Sequence, residues 1–272
     1  MPAPSCPFVW YELLTDDPAS AATFYGKVTG WRAADSGMPG LGHAYTILST
    51  DRAPMGGLMA LPREAADAGL GPSWIGYVGV PEVDDFAARV TAAGGKIHRQ
   101  PDDIPGVGRF AVAADPQGAI FNLFKGAPGP ERPEVPAGSL GHTGWHELHA
   151  ADGERAFPFY ADLLGWTKAE AIDMGDMGLY QIFSISGTPA GGMMTDKAAT
   201  PRPFWLFYFN VDEINAAAAR VAASGGKILH GPHEVPGGSW IVTCTDPQGA
   251  RFALVARPHG TPSRAPTATP SP

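Results

Sequence analysis

WYELLTDDPASAATFYGKVTGW, residues 10–31, is matched at residues 145–166 by WHELHAADGERAFPFYADLLGW. Trp10, Glu12, Phe24, Tyr25, Gly30 and Trp31 recur as Trp145, Glu147, Phe159, Tyr160, Gly165 and Trp166. Each copy opens on a short aromatic-rich run, Phe8 to Leu14 in the first, that predicts a strand. Asp17 can cap a helix with Pro18 at its first position. Ala21, Phe24, Tyr25 and Val28 then give that helix one apolar stripe, and Gly30 ends it.

Outward from this stretch the duplication continues. Tyr45 falls on Tyr180, and Gly56-Gly57 on Gly191-Gly192. After a four-residue deletion, Trp74 matches Trp205, Gly94-Gly95-Lys96-Ile97 matches Gly225-Gly226-Lys227-Ile228, and DPQGA at 115–119 matches DPQGA at 246–250. A collinear series this long means two homologous domains. The predicted limits are 1–125 and 142–258, with a Pro- and Gly-rich linker at 126–141 and a disordered tail at 259–272. Within each domain the strand–helix pattern restarts, at Trp74 in the first. Each domain therefore reads as two βαβββ modules, and the fold class as α+β with curved mixed sheets.

Composition sets the outer limits. The 272 residues are 44% apolar and 17% charged, ordinary values for a globular protein with a core. A net charge of −8 argues against a nucleic-acid partner, which needs clustered Lys and Arg. No run approaches the roughly 18 apolar residues of a membrane span. Cys6 and Cys244 do not make a disulfide framework, so a reducing cytoplasm is the expected location. A small-molecule ligand or substrate, no nucleic acid, no membrane, and a monomer or homodimer are the expected associations.

The series F-Y-x₄-G-W, A-G-G-K and D-P-x-G-x-x-F resembles the vicinal oxygen chelate superfamily of glyoxalases, bleomycin-resistance proteins and extradiol dioxygenases. It is most similar to two-domain actinobacterial glyoxalase-like proteins carrying W-x-E-L and D-P-Q-G-A. The resemblance implies two tandem domains, each a pair of βαβββ modules forming a sheet cup, in which the superfamily's enzymes hold a divalent metal. Carried onto this chain, the ligand positions are Trp10, Gly57 (or Leu58), Trp74 and Asn122, then Trp145, Gly192 (or Met193), Trp205 and Ala253. Such a metal needs imidazole, carboxylate or thiolate donors. Only the neutral Asn122 carbonyl offers oxygen. The expectation is therefore no metal and no cofactor.

Side chains at i and i+2 share a strand face. If Trp10 faces the cup, Glu12 does too, and Glu147 stands likewise beside Trp145. A carboxylate against indole rings rises in pKa, as a general acid or base requires, or serves as a structural acceptor. His149 shares that face in the second domain, where the first has Leu14, so polar chemistry is expected in the second cup. Glu12, Glu147 and His149 are the candidate acid–base residues. Trp10, Tyr45, Trp74, Asn122, Trp145, Tyr180 and Trp205 are the candidate ligand contacts, either touching a ligand or filling the cup. His142 and His146 read as loop or edge histidines, and His230 and His233 as exposed. Three function classes follow: a metal-independent pocket for an aromatic or apolar metabolite or antibiotic, a metal-free acid–base enzyme (isomerase, lyase or hydrolase), and a metal-dependent glyoxalase or dioxygenase.

Overall fold

The structure, a computed structural model, describes residues 5–38, 44–129, 135–198 and 202–257. The predicted tail at 259–272 and residues 130–134 of the predicted linker lie outside them.

The first module runs β1 (Phe8–Thr15), α1 (Pro18–Thr29), β2 (Arg32–Asp35), β3 (Tyr45–Ser49) and β4 (Pro54–Ala60). A short α2 (Arg63–Asp67) leads to the second: β5 (Ser73–Gly79), α3 (Val83–Ala92), β6 (Lys96–Ile104), β7 (Gly108–Ala114) and β8 (Ile120–Gly126). The other domain repeats this as β9 (Thr143–Ala150), α4 (Gly153–Leu164), β10 (Thr167–Asp173), β11 (Leu179–Ile185) and β12 (Thr188–Thr195). It continues through β13 (Phe204–Asn210), α5 (Ile214–Ala223), β14 (Lys227–Glu234), β15 (Trp240–Thr245) and β16 (Arg251–Ala256). The punctuation acts as its chemistry dictates. Asp17 accepts from the Ser20 N–H with Pro18 in the first turn, and Asp152 caps α4 through Arg155 N. Gly30 and Gly165 close their helices in the left-handed region, at φ 79° and 71°.

Each domain forms one eight-stranded mixed sheet, in the orders β2-β3-β4-β1-β5-β8-β7-β6 and β10-β11-β12-β9-β13-β16-β15-β14. Modules thus pair inside a domain. β1 meets β5 antiparallel and β9 meets β13 likewise, while β1–β4 and β5–β8 are parallel. Among the described residues no helix is long and apolar enough to cross a membrane.

Both sheets turn one face toward a shared interior that also holds the helices. A single apolar cluster runs through it, from Leu13, Tyr25, Trp31 and Trp74 to Leu148, Tyr160, Trp166 and Trp205. At its centre Phe207 packs edge-on against Phe8 and Tyr11. The domains exchange polar contacts reciprocally. Trp74 Nε1 donates to the Tyr25 hydroxyl (2.8 Å), which donates to Asp246 of the other domain (3.2 Å). Trp205 Nε1 donates to Tyr160 (3.2 Å), which donates to Asp115 (2.9 Å). The DPQGA turns therefore do more than reverse the chain. Each aspartate also accepts from its own turn's N–H groups while receiving a tyrosine from across the interface.

Three expectations change here. Trp74 and Trp205, expected at the cups, are 5% and 4% exposed and lie in the shared interior, in register with Leu13 and Leu148. His146 is neither loop nor edge: it sits on the central strand β9, stacked on Phe8 at 4.4 Å between ring centroids. His233 is half-buried on β14, with only His230 exposed. His146 is covered by the other domain, through Phe8 and Tyr11.

Candidate functional site: two outward-facing cups

The faces opposite the shared interior are the cups. Strand register places Trp10 beside Tyr77, and Glu12 between Ile75 and Gly57, with Asn122 beside Tyr77. The second domain sets Trp145 beside Tyr208, Glu147 between Leu206 and Gly192, and Ala253 beside Tyr208. The repeated W-x-E spacing thus puts an indole and a carboxylate side by side on one face.

In the second cup a continuous chain of hydrogen bonds converges on Glu147, which is 8% exposed. Trp145 Nε1 donates to the Tyr180 hydroxyl (2.7 Å), which donates to Glu147 Oε2 (2.8 Å). Tyr208 donates to Glu147 Oε1 (2.9 Å), and His149 Nε2 lies 2.8 Å from the same oxygen. His149 Nδ1 faces Asp196 Oδ2 at 2.9 Å, and its ring stacks on Phe204 at 4.6 Å. With a carboxylate oxygen at each ring nitrogen, only the imidazolium satisfies both. Burial disfavours the charge on His149, but Glu147 and Asp196 outweigh it and raise its pKa. Burial likewise opposes ionisation of Glu147, yet His149 and the two tyrosines hold its carboxyl below the ordinary value. The result is a buried ion pair fully supplied with donors. Around it lie Leu206, Tyr208, Ala253 and Val255, with Trp145, Phe204 and Ile241 partly covering them.

The first cup repeats the frame with different charge. Trp10 Nε1 donates to Tyr45 (2.9 Å), and Glu12 Oε1 accepts from Tyr77 (3.0 Å). Leu14 stands where His149 does. Without an imidazolium, burial dominates and raises the Glu12 carboxyl, which hydrogen bonds from Tyr77 and Tyr45 offset only in part. The paired glycines keep both frames closed. A Cβ on Gly57 would fall 1.9 Å from the Tyr45 hydroxyl, and one on Gly192 would fall 2.1 Å from the Tyr180 ring.

The structure therefore brings together Trp10, Glu12, Tyr45 and Asn122 in one cup, and Trp145, Glu147, His149 and Tyr180 in the other. It leaves Trp74 and Trp205 out of both. Sequence reasoning missed Tyr77 and Tyr208, which coincide under the same offset that aligned Trp74 with Trp205. It also missed Asp196, for which the repeat carries no matching signal.

Nor does the donor set suit a divalent ion. With the tryptophans removed, the cup-facing residues on β5 and β13 at that level are Ile75 and Leu206, which carry no donor atoms. The carboxylate oxygens present are already engaged by tyrosines and His149. Among the described residues no group of three or more His, Cys, Asp and Glu is arranged to hold a metal.

Comparisons with known proteins agree with this architecture. The chain is 33% identical over 280 residues to the anthracycline biosynthesis protein DnrV of Streptomyces peucetius, covering 97% of each. Its fold matches homoprotocatechuate 2,3-dioxygenase from Brevibacterium fuscum with a TM-score of 0.67 at 18% identity, over 97% of this chain and 85% of that one. It also matches the Mn(II)-bound glyoxalase from Novosphingobium aromaticivorans (TM-score 0.62, 18% identity, 94% and 82% covered). The family model of the Glyoxalase/Bleomycin resistance protein/Dioxygenase superfamily matches twice, at residues 8–123 and 139–254, and the chain belongs to that superfamily.

Proposed function

We propose that this chain is a metal-independent protein that binds an aromatic or apolar metabolite in its outward-facing cups. The observation that carries this reading is the saturation of the second cup's polar groups. Glu147 accepts three donors, and both ring nitrogens of His149 are held by carboxylates. Such a network orients aromatic walls and leaves neither residue a free position for taking a proton from a substrate. Half-buried Trp10 and Trp145 offer flat, stackable surface beside it. Similarity to an anthracycline biosynthesis protein over nearly the whole chain supports a polycyclic aromatic as the ligand class.

Native mass spectrometry after incubation with 1,8-dihydroxyanthraquinone tests the proposal. The expected result is a complex that returns the probe unchanged and survives prior dialysis against EDTA. Conversion of the probe, or binding only after a divalent metal is restored, overturns it.

A second reading is favoured by one specific feature, the raised carboxyl of Glu12. A buried acid displaced toward neutrality can shuttle a proton in a metal-free isomerase or lyase. Turnover of a bound probe that is lost in Glu12→Gln with binding intact would mark that activity.

A further inference from the structure

The two cups differ at one register position in a way the binding reading does not itself require. Tyr208 of the second cup is paired with Ala253, whereas Tyr77 of the first is paired with Asn122. Asn122 is 2% exposed, and its amide sits against the Tyr77 hydroxyl. Its Oδ1 is buried without any hydrogen-bond partner. A buried amide oxygen left unpaired costs about as much as a lost hydrogen bond, so it is retained where something supplies the missing donor. The surrounding wall is apolar and half-buried: Trp10, Ile47, Met59, Val112 and Phe124 share this face, and Phe124 meets Tyr77 edge-on at 6.0 Å. At the same register position the second cup has no counterpart to this acceptor, although His233 Nδ1, on β14 opposite Ile241, is also buried without a partner. Ala253 brings no polar atom, and Glu147 is supplied from within.

Resting on the binding reading above, we infer that the first cup selects hydroxylated aromatics, with Asn122 Oδ1 accepting a hydrogen bond from the ligand's O–H. The ring lies along the Trp10–Phe124 wall, and the hydroxyl reaches the floor between Asn122 and the Tyr77–Glu12 pair. A site holding a buried acceptor favours a ligand that brings the donor, because an analogue without it leaves the oxygen unpaired in the complex. The discrimination for a ligand hydroxyl is thus assigned to the first cup, at Asn122.

Calorimetric titration of the full chain with 1-naphthol and with 1-methoxynaphthalene tests this. The two probes share a ring system and differ in the donor. The wild type is expected to bind 1-naphthol about tenfold more tightly or better. Asn122→Ala, which places in the first cup the residue already accommodated at 253, is expected to keep the methoxy affinity and lose the preference. Equal affinities in the wild type, or a preference that survives Asn122→Ala, overturns the inference and leaves the binding reading standing. Failure of both probes to bind overturns the binding reading as well. Circular dichroism confirms that the variant is folded.

Discussion

Tyr11 and His146, which occupy the same place in the two copies of the repeat, meet each other across the domain interface. His146 Nδ1 lies 2.7 Å from the Ala190 carbonyl and must carry the proton there, so Nε2 accepts from the Tyr11 hydroxyl at 2.6 Å. Equivalent residues touch only near a symmetry axis, and this pair marks the pseudo-twofold relating the domains. Burial, offset in part by the Ala190 carbonyl, lowers His146 to about 4.

This depression ties stability to pH. A histidine that titrates near 4 when folded and near 6.5 when unfolded binds more protons in the unfolded chain between those values. Its contribution is therefore complete above pH 6.5 and lost as pH falls toward 4, amounting to about 3 kcal/mol. Denaturant unfolding at pH 7 and pH 4.5 should show His146→Gln less sensitive to acid than the wild type. Parallel pH profiles would count against the assignment.

The His149–Glu147 pair titrates in the opposite sense when broken. His149→Leu gives the second cup the residue of the first and strands a buried carboxylate, at an expected loss of about 3–5 kcal/mol near neutral pH. Without the imidazolium, burial raises Glu147, as it does Glu12. Protonation then relieves the unpaired charge, so the deficit relative to wild type should shrink as pH falls below about 6.5, where His149 of the wild type is already charged in both states. Melting temperatures of both proteins across pH 4.5–8 check this; a constant deficit means that lost packing on Phe204 is the cause.

Gly192→Ala tests the Trp145–Tyr180–Glu147 chain without touching any member of it. The new Cβ would lie 2.1 Å from the Tyr180 ring, so the tyrosine must swing away. Overpacking of this kind costs about 1–3 kcal/mol. Trp145 emission should change with the loss of its hydroxyl partner, and an unaltered spectrum would show that the ring has another place to go.

Tyr160→Phe removes a hydroxyl that serves Trp205 and Asp115 together. Two buried polar groups on different domains then lose a partner, for about 1–3 kcal/mol. Because one apolar cluster spans both domains, unfolding is expected to stay a single transition at a lower denaturant midpoint. Two separate transitions would show that the halves hold together independently of this contact.

Chelation provides a fifth check. A native-state metal would stabilise by mass action, about 2.7 kcal/mol at a hundredfold excess over its dissociation constant. EDTA, and added Mn²⁺ or Zn²⁺, are expected to leave the melting temperature unchanged. A drop of several degrees with EDTA would show that the cups recruit an ion.

Much of this was legible from residue order because local rules and the fold agree. Asp17, Pro18, the Ala21–Phe24–Tyr25–Val28 stripe and Gly30 delimit α1 without tertiary help. The W-x-E alternation placed Trp10 with Glu12, and Trp145 with Glu147, because one strand face differs in polarity from the other. The rule lost its grip on SWIGYVG and FWLFYFN. Both faces of those strands are apolar, one lining a cup and one the shared interior, so alternation could not say which way Trp74 and Trp205 point. His146 was hidden for a related reason: two of the rings that cover it, Phe8 and Tyr11, come from more than a hundred residues away.

The reciprocal bonds have a bearing on how the molecule can change. Residues of the first half alone include a tyrosine donor, Tyr25, and an aspartate acceptor, Asp115; the second half includes Tyr160 and Asp246. Two identical copies of either half could satisfy both bonds, so the interface does not need two different sequences. Two identical copies would, however, carry identical cups. Joining the halves in one chain frees each from its twin, and the split into Leu14 with Asn122 on one side and His149 with Ala253 on the other is a divergence that a pair of identical halves could not hold.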